Sequence, residues 1–540
     1  MDPANNDNKF FWLIVTIAVV MTLIPHLIGW GRVINNEFAE YQAYNTYAVA
    51  DTNVYYSYIN QAKEGQLLFA NNFTSEPQSP SMFHPLWLLG GWLSFITKLS
   101  APVIFQILRV VAGSFMLWAV YRFLIWLQLS KQQRRWVFPI IVLGSGLGFF
   151  LAPWSDFSIY RSFFSTDISI AESNTFATLY HSPLFPLSQA LIILSLQYFI
   201  TAWREQKKKL LVLSGLTVLI LSLVHTYDLI TVAAVLLAYG LIKLLRSEIS
   251  NPPELRRYIK YGLGLIPFAV PAVIYYLVIM SREPAIAGWL KQNITLSPTI
   301  WSYLLGYGLL VPLAIAGAGK VLKENYNRSV LLIVWLVTGL VLMYFPYLQI
   351  QRRLTNGMHI PLAILAGLGL MVLWQWAVKR SRWLSFPVMI IALAGLIATP
   401  IAVIVRDSLS VSVQDEKDHR YYFTETEKSS YEFLAEEAGK DDIIYSHPWT
   451  GNVLAGQGRL VFLGHGHQTV DWDTKRAQID GFFTDWSDNN RQEYLANNSI
   501  KYLYYGPAER KLGEWDPAKA LWLRQIWGEN DIAIYKYPAI

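Results

Sequence analysis

Apolar runs that approach the length of a membrane-spanning helix recur along most of this sequence. A helix needs about 20 apolar residues to cross the hydrocarbon core of a bilayer. Eleven runs come close to that length, at residues 10–29, 103–127, 136–152, 185–202, 210–226, 229–245, 261–280, 301–319, 329–348, 359–378 and 383–405. The predicted fold class is therefore an α-helical polytopic membrane protein with about eleven transmembrane helices.

Composition supports this class and excludes others. Hydrophobic residues make up 53% of the chain and charged residues only 15%, whereas soluble domains carry about 25% charged residues. The net charge of +6 comes from short basic clusters between apolar runs, so we interpret it as a topology signal and expect no nucleic-acid partner. The chain has no cysteine, which excludes disulfide and thiol chemistry. No small-residue cleavage site follows the first run, so we expect a retained span.

The basic residues also predict an orientation. The apolar run at 84–99 is short, begins with His-Pro and contains Gly-Gly, so we interpret it as an interfacial or re-entrant helix. The loops on one side of the membrane then carry 19 Lys and Arg residues and those on the other side 8. The positive-inside rule predicts a cytoplasmic N-terminus and an extracytoplasmic C-terminal segment, in the plasma or inner membrane.

The last 135 residues differ from the rest of the chain. Helix-like stretches, beginning ETEKSS, DWDTKR and NNRQEY, alternate there with strand-like stretches, DIIYSHP, RLVFLGH, IKYLYYG and DIAIYKY. This alternation predicts a small α/β domain at 406–540, after a transmembrane domain at 1–405. The segment has no GxGxxG or P-loop pattern, so we predict no nucleotide site in it.

Asp51 lies in the first long polar segment, 30–102, inside an uncharged aromatic stretch. Helical spacing to Tyr55 and Ile59 predicts that Asp51 opens a short amphipathic helix at the outer membrane surface. Its carboxylate could cap that helix. Alternatively, it could act as a general base that takes a proton from an acceptor as the acceptor attacks the anomeric carbon of a sugar.

Arg352 and Arg353 lie at the predicted outer end of a span, against the positive-inside trend. Guanidinium groups bind phosphate through paired hydrogen bonds, so this pair indicates an anionic partner such as a lipid phosphate. The alternative is an Arg pair that binds carbonyl groups or lipid headgroups. His359 lies on the same predicted side and is included in the candidate phosphate-binding set.

Other ionisable residues of the predicted outer side leave two interpretations open. Glu172 either pairs with Arg161 or contributes a second site carboxylate. His225 and Asp228 occupy the tight turn HTYDL, as a helix cap or as part of a cavity. His465 and His467 have the spacing of a metal pair, but no third ligand is evident, so we predict no metal site.

The chain resembles the GT-C superfamily of integral membrane glycosyltransferases in Asp51-x-x-x-Tyr55, then Gly65, then the stretch HPLWLL beginning at His84. HTYDL, QRRLTNGMHIPLAIL and the C-terminal segment are also similar to GT-C-like prokaryotic proteins. The resemblance implies a polyprenyl-phosphate-linked sugar donor, with Asp51 as the base, Tyr55 and Tyr56 beside it, and 84–99 as a juxtamembrane helix.

Thr52 departs from the family pattern, which has a second acidic residue at this position. Glu172 is then the expected partner of Asp51. We predict no cofactor, although these two carboxylates could hold one divalent ion. The sequence does not identify the acceptor. A lipid or solute transporter (or flippase), and a non-catalytic scaffold whose outer domain binds a partner, are the alternative functions, and membrane lipids are expected around either.

Overall fold

Helices form most of the chain, as the apolar runs require, since a helix satisfies its own backbone hydrogen bonds within lipid. The computed structural model describes residues 3–47, 49–152, 164–246, 252–324, 328–413 and 420–537. Its helices α1 to α10 are Pro3–Ile34, Val49–Lys63, Pro85–Thr97, Ala101–Trp126, Lys131–Leu143, Gly148–Leu151, Thr175–His181, Leu184–Glu205, Lys208–Val224 and Asp228–Leu245. Helices α11 to α18 are Pro252–Leu263, Ile266–Arg282, Pro284–Gln292, Ile300–Tyr307, Leu310–Lys323, Val330–Leu342, His359–Arg380 and Arg382–Val413.

The remaining elements lie nearer the C-terminus, apart from one short early strand. Helices α19 to α23 are Glu425–Glu437, Pro448–Gly456, Trp472–Phe483, Asp488–Asn497 and Pro507–Arg510. Strands β1 to β6 are Glu40–Tyr41, Tyr422–Phe423, Ile443–Tyr445, Ile500–Tyr505, Arg524–Glu529 and Ile532–Lys536.

The membrane fold class is confirmed, but the predicted number of eleven spans is not. Within the described residues, eight helical segments are long and apolar enough to cross a membrane, or nine if α14 and α15, bent by 79°, count as one span. The predicted spans at 210–226 and 329–348 correspond to α9, with 17 residues, and α16, with 13. The run at 84–99 forms α3, whose 13 residues rise about 20 Å, less than the roughly 30 Å of a bilayer core.

Contacts along the chain divide it into two units. Unit 1 comprises Met1–His26, Gln106–Tyr275 and Thr295–Leu409, and unit 2 comprises Leu27–Phe105, Tyr276–Ile294 and Ser410–Ile540. Unit 2 therefore combines the C-terminal segment with the first long polar segment, which contains Asp51, and with a short stretch around α13. The sequence-based division at residue 405 did not predict this grouping of separate segments.

A buried carboxylate accounts for a break in the predicted span 136–152. Helix α5 ends at Leu143 and α6 begins at Gly148, so the backbone between them lacks helical hydrogen bonds. The Asp167 carboxylate accepts hydrogen bonds from Ser145 Oγ at 3.0 Å and from the amides of Gly146 and Gly148 at 3.0 and 3.3 Å. These bonds satisfy non-helical backbone groups that would otherwise be costly to bury.

Unit 1 has a helical core in which two helices meet through glycine. A Cβ atom at Gly317 of α15 would overlap the Leu365 carbonyl oxygen of α17. A Cβ atom at Gly369 of α17 would likewise overlap the Leu313 carbonyl oxygen of α15. Small residues at such positions let helix backbones approach closely, which is a main source of helix association in membranes.

We predict that Gly317→Val lowers the stability of unit 1 by about 2 kcal/mol or more, because the added side chain forces α15 and α17 apart. Gly319→Val, in the same helix, is the matched control, since a Cβ at Gly319 meets no atom within 4 Å. The measurement is thermal unfolding in detergent. Equal melting temperatures for the two variants would contradict the proposed close packing.

Unit 2 is built around a mixed four-stranded sheet with the strand order β3-β4-β6-β5. Strands β3 and β4 are parallel, whereas β4 and β5 both pair antiparallel with β6. A separate antiparallel pair joins β1 to β2, with Glu40 opposite Phe423. The sheet packs on a core that includes Tyr445, Phe482 and Leu503.

The three helix-like stretches of the C-terminal segment form α19, α21 and α22, and three of the four strand-like stretches form β3, β4 and β6. The prediction of a strand at RLVFLGH was wrong. Val461 N donates to Asn72 O at 3.0 Å, whereas Phe462 N donates to Ile444 O at 2.9 Å. Val461 and Leu463 form only isolated bridges, with Ile444 and Thr74, and the segment contains no ladder. Strand β5 was not predicted.

Candidate active site

Asp51 lies in the first turn of α2, which spans Val49–Lys63 in unit 2. The capping interpretation stays a prediction. The Asp51 side chain is 47% exposed, and its Oδ1 lies 2.8 Å from His465 Nε2. The carboxylate thus bonds a side chain 414 residues away in the sequence and remains accessible to a reaction partner.

The tautomer of His465 follows from the hydrogen bonds of its other nitrogen. Nδ1 accepts from the backbone amides of His467 at 3.1 Å and Gln468 at 3.2 Å. Because Nδ1 is an acceptor, the ring proton lies on Nε2 and is donated to Asp51. The His465 side chain is 5% exposed, so the orientation of this donor is fixed by its surroundings.

The loop that carries His465 is held by Thr469. Its Oγ1 accepts from the amides of Gly464 at 3.1 Å and His465 at 3.2 Å and donates to Phe73 O at 2.6 Å. Gln292 supports the same loop, since its Nε2 donates to Thr469 O at 2.8 Å. One buried hydroxyl therefore fixes the loop against the segment that follows α2.

Side-chain contacts of other α2 residues hold this helix in place. Asn53 Nδ2 donates to Asn452 Oδ1 at 2.8 Å, and Asn53 Oδ1 accepts from Tyr44 at 2.9 Å. Of the two predicted supporting tyrosines, Tyr56 donates to Gln42 O at 2.7 Å, and the Tyr55 ring stacks on Trp87 of α3 with ring centroids 4.6 Å apart. Both therefore help to set the position of α2.

A second group of predicted residues lies in unit 1. His225 Nδ1 and Asp228 Oδ2 are 2.9 Å apart, and Asp228 is fully buried. Asp228 is the first residue of α10, and its Oδ2 accepts from Asn356 Nδ2 at 2.8 Å. His225 is the C-cap residue of α9. The pair therefore lies between two helix ends and belongs to a buried polar network.

The polar network was only partly predicted. Asn356 also donates to Ser188 Oγ at 2.8 Å and accepts from Gln189 Nε2 at 2.9 Å. Gln189 in turn donates to Thr178 Oγ1 at 3.1 Å. These uncharged groups were not predicted from the sequence. An uncharged amide inside an apolar run, such as Gln189, is the signal that could have found them.

The two arginines lie in a 3₁₀ turn at Gln351–Thr355, directly before Asn356. The Arg353 guanidinium lies over the Tyr227 ring, 5.3 Å from its centroid, beside the His225–Asp228 pair. The Arg352 amide donates to Thr295 O at 2.9 Å. Both arginine side chains are partly exposed, so the turn presents two cations next to the polar network.

Three further predicted residues have different positions. Glu172 is buried in a 3₁₀ turn at Ala171–Ser173, and both it and Arg352 lie within electrostatic range of the Tyr303 phenol. His359 is buried, with Nδ1 2.7 Å from Thr175 Oγ1. Arg161, the predicted partner of Glu172, lies outside the described residues. Glu172 and Asp51 belong to different units, so their pairing stays a prediction.

His465 and His467 were considered as a metal pair. His465 instead bonds Asp51 and two backbone amides. In the part of the chain that the structure describes, no three His, Asp or Glu side chains come together as metal ligands.

Solved structures with a similar fold are membrane glycosyltransferases. Archaeal oligosaccharyltransferase AglB from Archaeoglobus fulgidus matches 95% of this chain and 72% of its own, with a TM-score of 0.53 and 12% identity. ArnT from Cupriavidus metallidurans matches 98% of each chain, with a TM-score of 0.50 and 9% identity. Arabinofuranosyltransferase AftD from Mycobacteria matches 98% of this chain and 40% of its own, with a TM-score of 0.57 and 13% identity.

Sequence comparison points to one family. No curated protein matches the chain. The model of a family of unknown function, DUF6541, matches residues 175–523, which is more than half of the chain.

We predict that Thr469→Val lowers the stability of unit 2 by about 1–3 kcal/mol, because it leaves two buried amides and a carbonyl without their partner. Thr469→Ser keeps the hydroxyl and is the control. Chemical denaturation followed by near-UV circular dichroism measures both. A valine variant as stable as the serine variant would show that the hydroxyl does not hold the His465 loop.

The solved structures confirm the predicted fold class, and the family match covers more than half of each unit. The chain belongs to the DUF6541 family and is a multi-pass membrane protein with the fold of the GT-C glycosyltransferases.

Proposed function

We propose that this protein transfers a sugar from a polyprenyl-phosphate donor to an acceptor hydroxyl or amine at the outer membrane face, with Asp51 as the general base. The observation that carries this proposal is the 2.8 Å contact between the half-exposed Asp51 carboxylate and His465 Nε2. Here one oxygen is fixed by a buried donor while the group as a whole stays accessible.

The chemistry requires one proton acceptor and one stabilised leaving group. Asp51 takes the acceptor proton, and the acceptor atom forms a bond to the anomeric carbon. The bond between that carbon and the phosphate oxygen breaks, and its electron pair leaves with the polyprenyl phosphate. His465 keeps the Asp51 carboxylate in one orientation and is a positioning residue in this scheme.

Arg352 and Arg353 are proposed to hold the donor phosphate. The leaving phosphate gains negative charge as the glycosidic bond breaks, and fixed cations stabilise that charge. Arg353 is held over the Tyr227 ring, and the arginine turn leads directly into the buried network around Asn356. The Arg353 side chain is therefore restrained before a ligand binds, which reduces the entropy lost on binding.

The similar structures support this choice of donor. AglB was solved in complex with an inhibitory peptide and a dolichol-phosphate. AftD is described as an arabinofuranosyltransferase. A transporter or flippase and a scaffold were the alternatives from the sequence, and neither needs an accessible carboxylate oriented by a buried histidine.

The test is a transfer assay with purified protein in nanodiscs and a panel of radiolabelled polyprenyl-phosphate sugars. We expect Asp51→Asn to lower sugar release by about 10²–10⁴-fold, because asparagine keeps the shape of the side chain but cannot accept the proton. Asp473→Asn changes an exposed carboxylate in the first turn of α21 and is the control. Release that is equal in the wild type and Asp51→Asn would refute Asp51 as the base, and a wild type that neither releases sugar nor binds any donor would refute the donor class.

A separate prediction concerns the phosphate site. Arg353→Ala should weaken binding of a polyprenyl-phosphate donor by about tenfold or more, because a charge-assisted hydrogen bond to phosphate is lost. Arg353→Lys keeps the positive charge but not the paired hydrogen-bond donors, so its loss of donor affinity should be smaller than that of Arg353→Ala. Scintillation proximity binding measures both. Arg282→Ala, outside the arginine turn, is the control, and an equal effect of Arg282→Ala and Arg353→Ala would contradict a specific site.

A further inference from the structure

A cleft of about 520 Å³ opens in unit 2 where the parallel strands β3 and β4 end. His447 and Trp449 line it just after β3, and Glu509 and Lys511 line it just after β4. In open α/β sheets, ligands bind at the carboxyl ends of parallel strands. The volume lies within the range of small-molecule sites. The cleft therefore has both the position and the size of a binding site.

A buried carboxylate fixes the two sides of this cleft to each other. Glu509 Oε1 accepts from the His447 amide at 2.7 Å, and Oε2 accepts from the Gly506 amide at 2.9 Å. The loop after β4 is thereby fastened to the start of α20. The lining groups are preorganised, so binding would cost little ordering entropy.

The His447 ring supplies a neutral donor. Its Nδ1 accepts from the Trp449 amide at 3.1 Å, which leaves the ring proton on Nε2. Burial, together with repulsion from Arg476, lowers the pKa of His447 to about 4. The ring is therefore uncharged at neutral pH and donates one hydrogen bond in a fixed orientation.

Aromatic side chains form a large part of the cleft wall. Trp449 is partly exposed there, and the Tyr431 and Tyr504 rings stack with centroids 5.9 Å apart. Aromatic rings beside fixed polar donors suit a ligand with apolar C–H faces and a hydroxyl rim, which is the character of a sugar ring.

Among the described residues that line the cleft, the exposed charged side chains are positive. These are Arg420 and Lys511, and neither forms an ion pair with another described residue. Two carboxylates also line the cleft, but both direct oxygens to backbone amides: Glu427 Oε2 accepts from the Thr424 amide at 3.0 Å, and the buried Glu509 accepts from two amides. The two exposed cations therefore favour an anionic group on the ligand.

We propose that this cleft binds an acidic saccharide, and that this saccharide is the acceptor of the sugar transfer. Its identification as the acceptor rests on the proposed function. Val49 and Ala50 of α2 line the cleft, and Asp51 is the next residue. Asn452 joins α20 to α2, since its Nδ2 donates to Ala50 O at 3.3 Å. The segment has no glycine-rich phosphate loop, which disfavours a nucleotide.

The experiment measures saccharide binding without any donor. Purified full-length protein in nanodiscs is applied to an array of acidic and neutral oligosaccharides. We expect binding to acidic members over neutral ones, and a loss of at least about tenfold in Trp449→Ala and in Lys511→Ala. Lys519→Ala removes an exposed lysine that does not line the cleft and should bind like the wild type.

Because no donor is present, this readout separates saccharide binding in the cleft from the transfer step. Acidic saccharides bound equally by the wild type, Trp449→Ala and Lys511→Ala would overturn the proposed site. A wild type that shows no preference for acidic members, or that binds only nucleotides in a parallel titration, would overturn the ligand class. Saccharide binding by a protein that never uses a lipid-linked donor would refute the transfer but not the cleft.

Discussion

The hydrogen bond from His465 Nε2 to Asp51 Oδ1 is the interaction on which the functional interpretation depends. It joins the first polar segment to the C-terminal segment within one unit. The backbone amides on Nδ1, the Thr469 hydroxyl and the Asn53–Asn452 pair all restrain the two partners. The result is a carboxylate whose direction is fixed before any substrate binds, which is what general-base catalysis requires.

Much of the fold could be predicted from sequence, because hydrophobic length and periodicity report local structure directly. The membrane class, the short helix at 85–97 and most elements of the C-terminal segment followed from such patterns. The number of spans did not, because the run at 329–348 forms a helix of only 13 residues and the helix in 210–226, with 17 residues, is itself short for a span. The assembly of unit 2 from three separate segments depends on contacts between distant residues, which no local pattern encodes.

The candidate site, like the fold, could be predicted from the sequence only in part. Asp51, Arg352 and Arg353 were identifiable because a charged residue beside apolar runs is costly and therefore conspicuous. The spacing of His465 and His467 suggested only a metal pair. The contact of His465 with Asp51 could not be predicted, because the two residues are 414 positions apart in the sequence. Asn356 and Gln189 are uncharged, so the cost of burying them is met by mutual hydrogen bonds that only the structure reveals.

The most direct test of the central claim is an experimental structure with a non-cleavable polyprenyl-phosphate sugar bound. A base must lie within hydrogen-bond reach of the acceptor atom, which itself lies about 3–3.5 Å from the carbon that it attacks. The account predicts an Asp51 oxygen about 4–6 Å from the anomeric carbon of the bound donor. An Asp51 carboxylate more than about 10 Å from that carbon would contradict it.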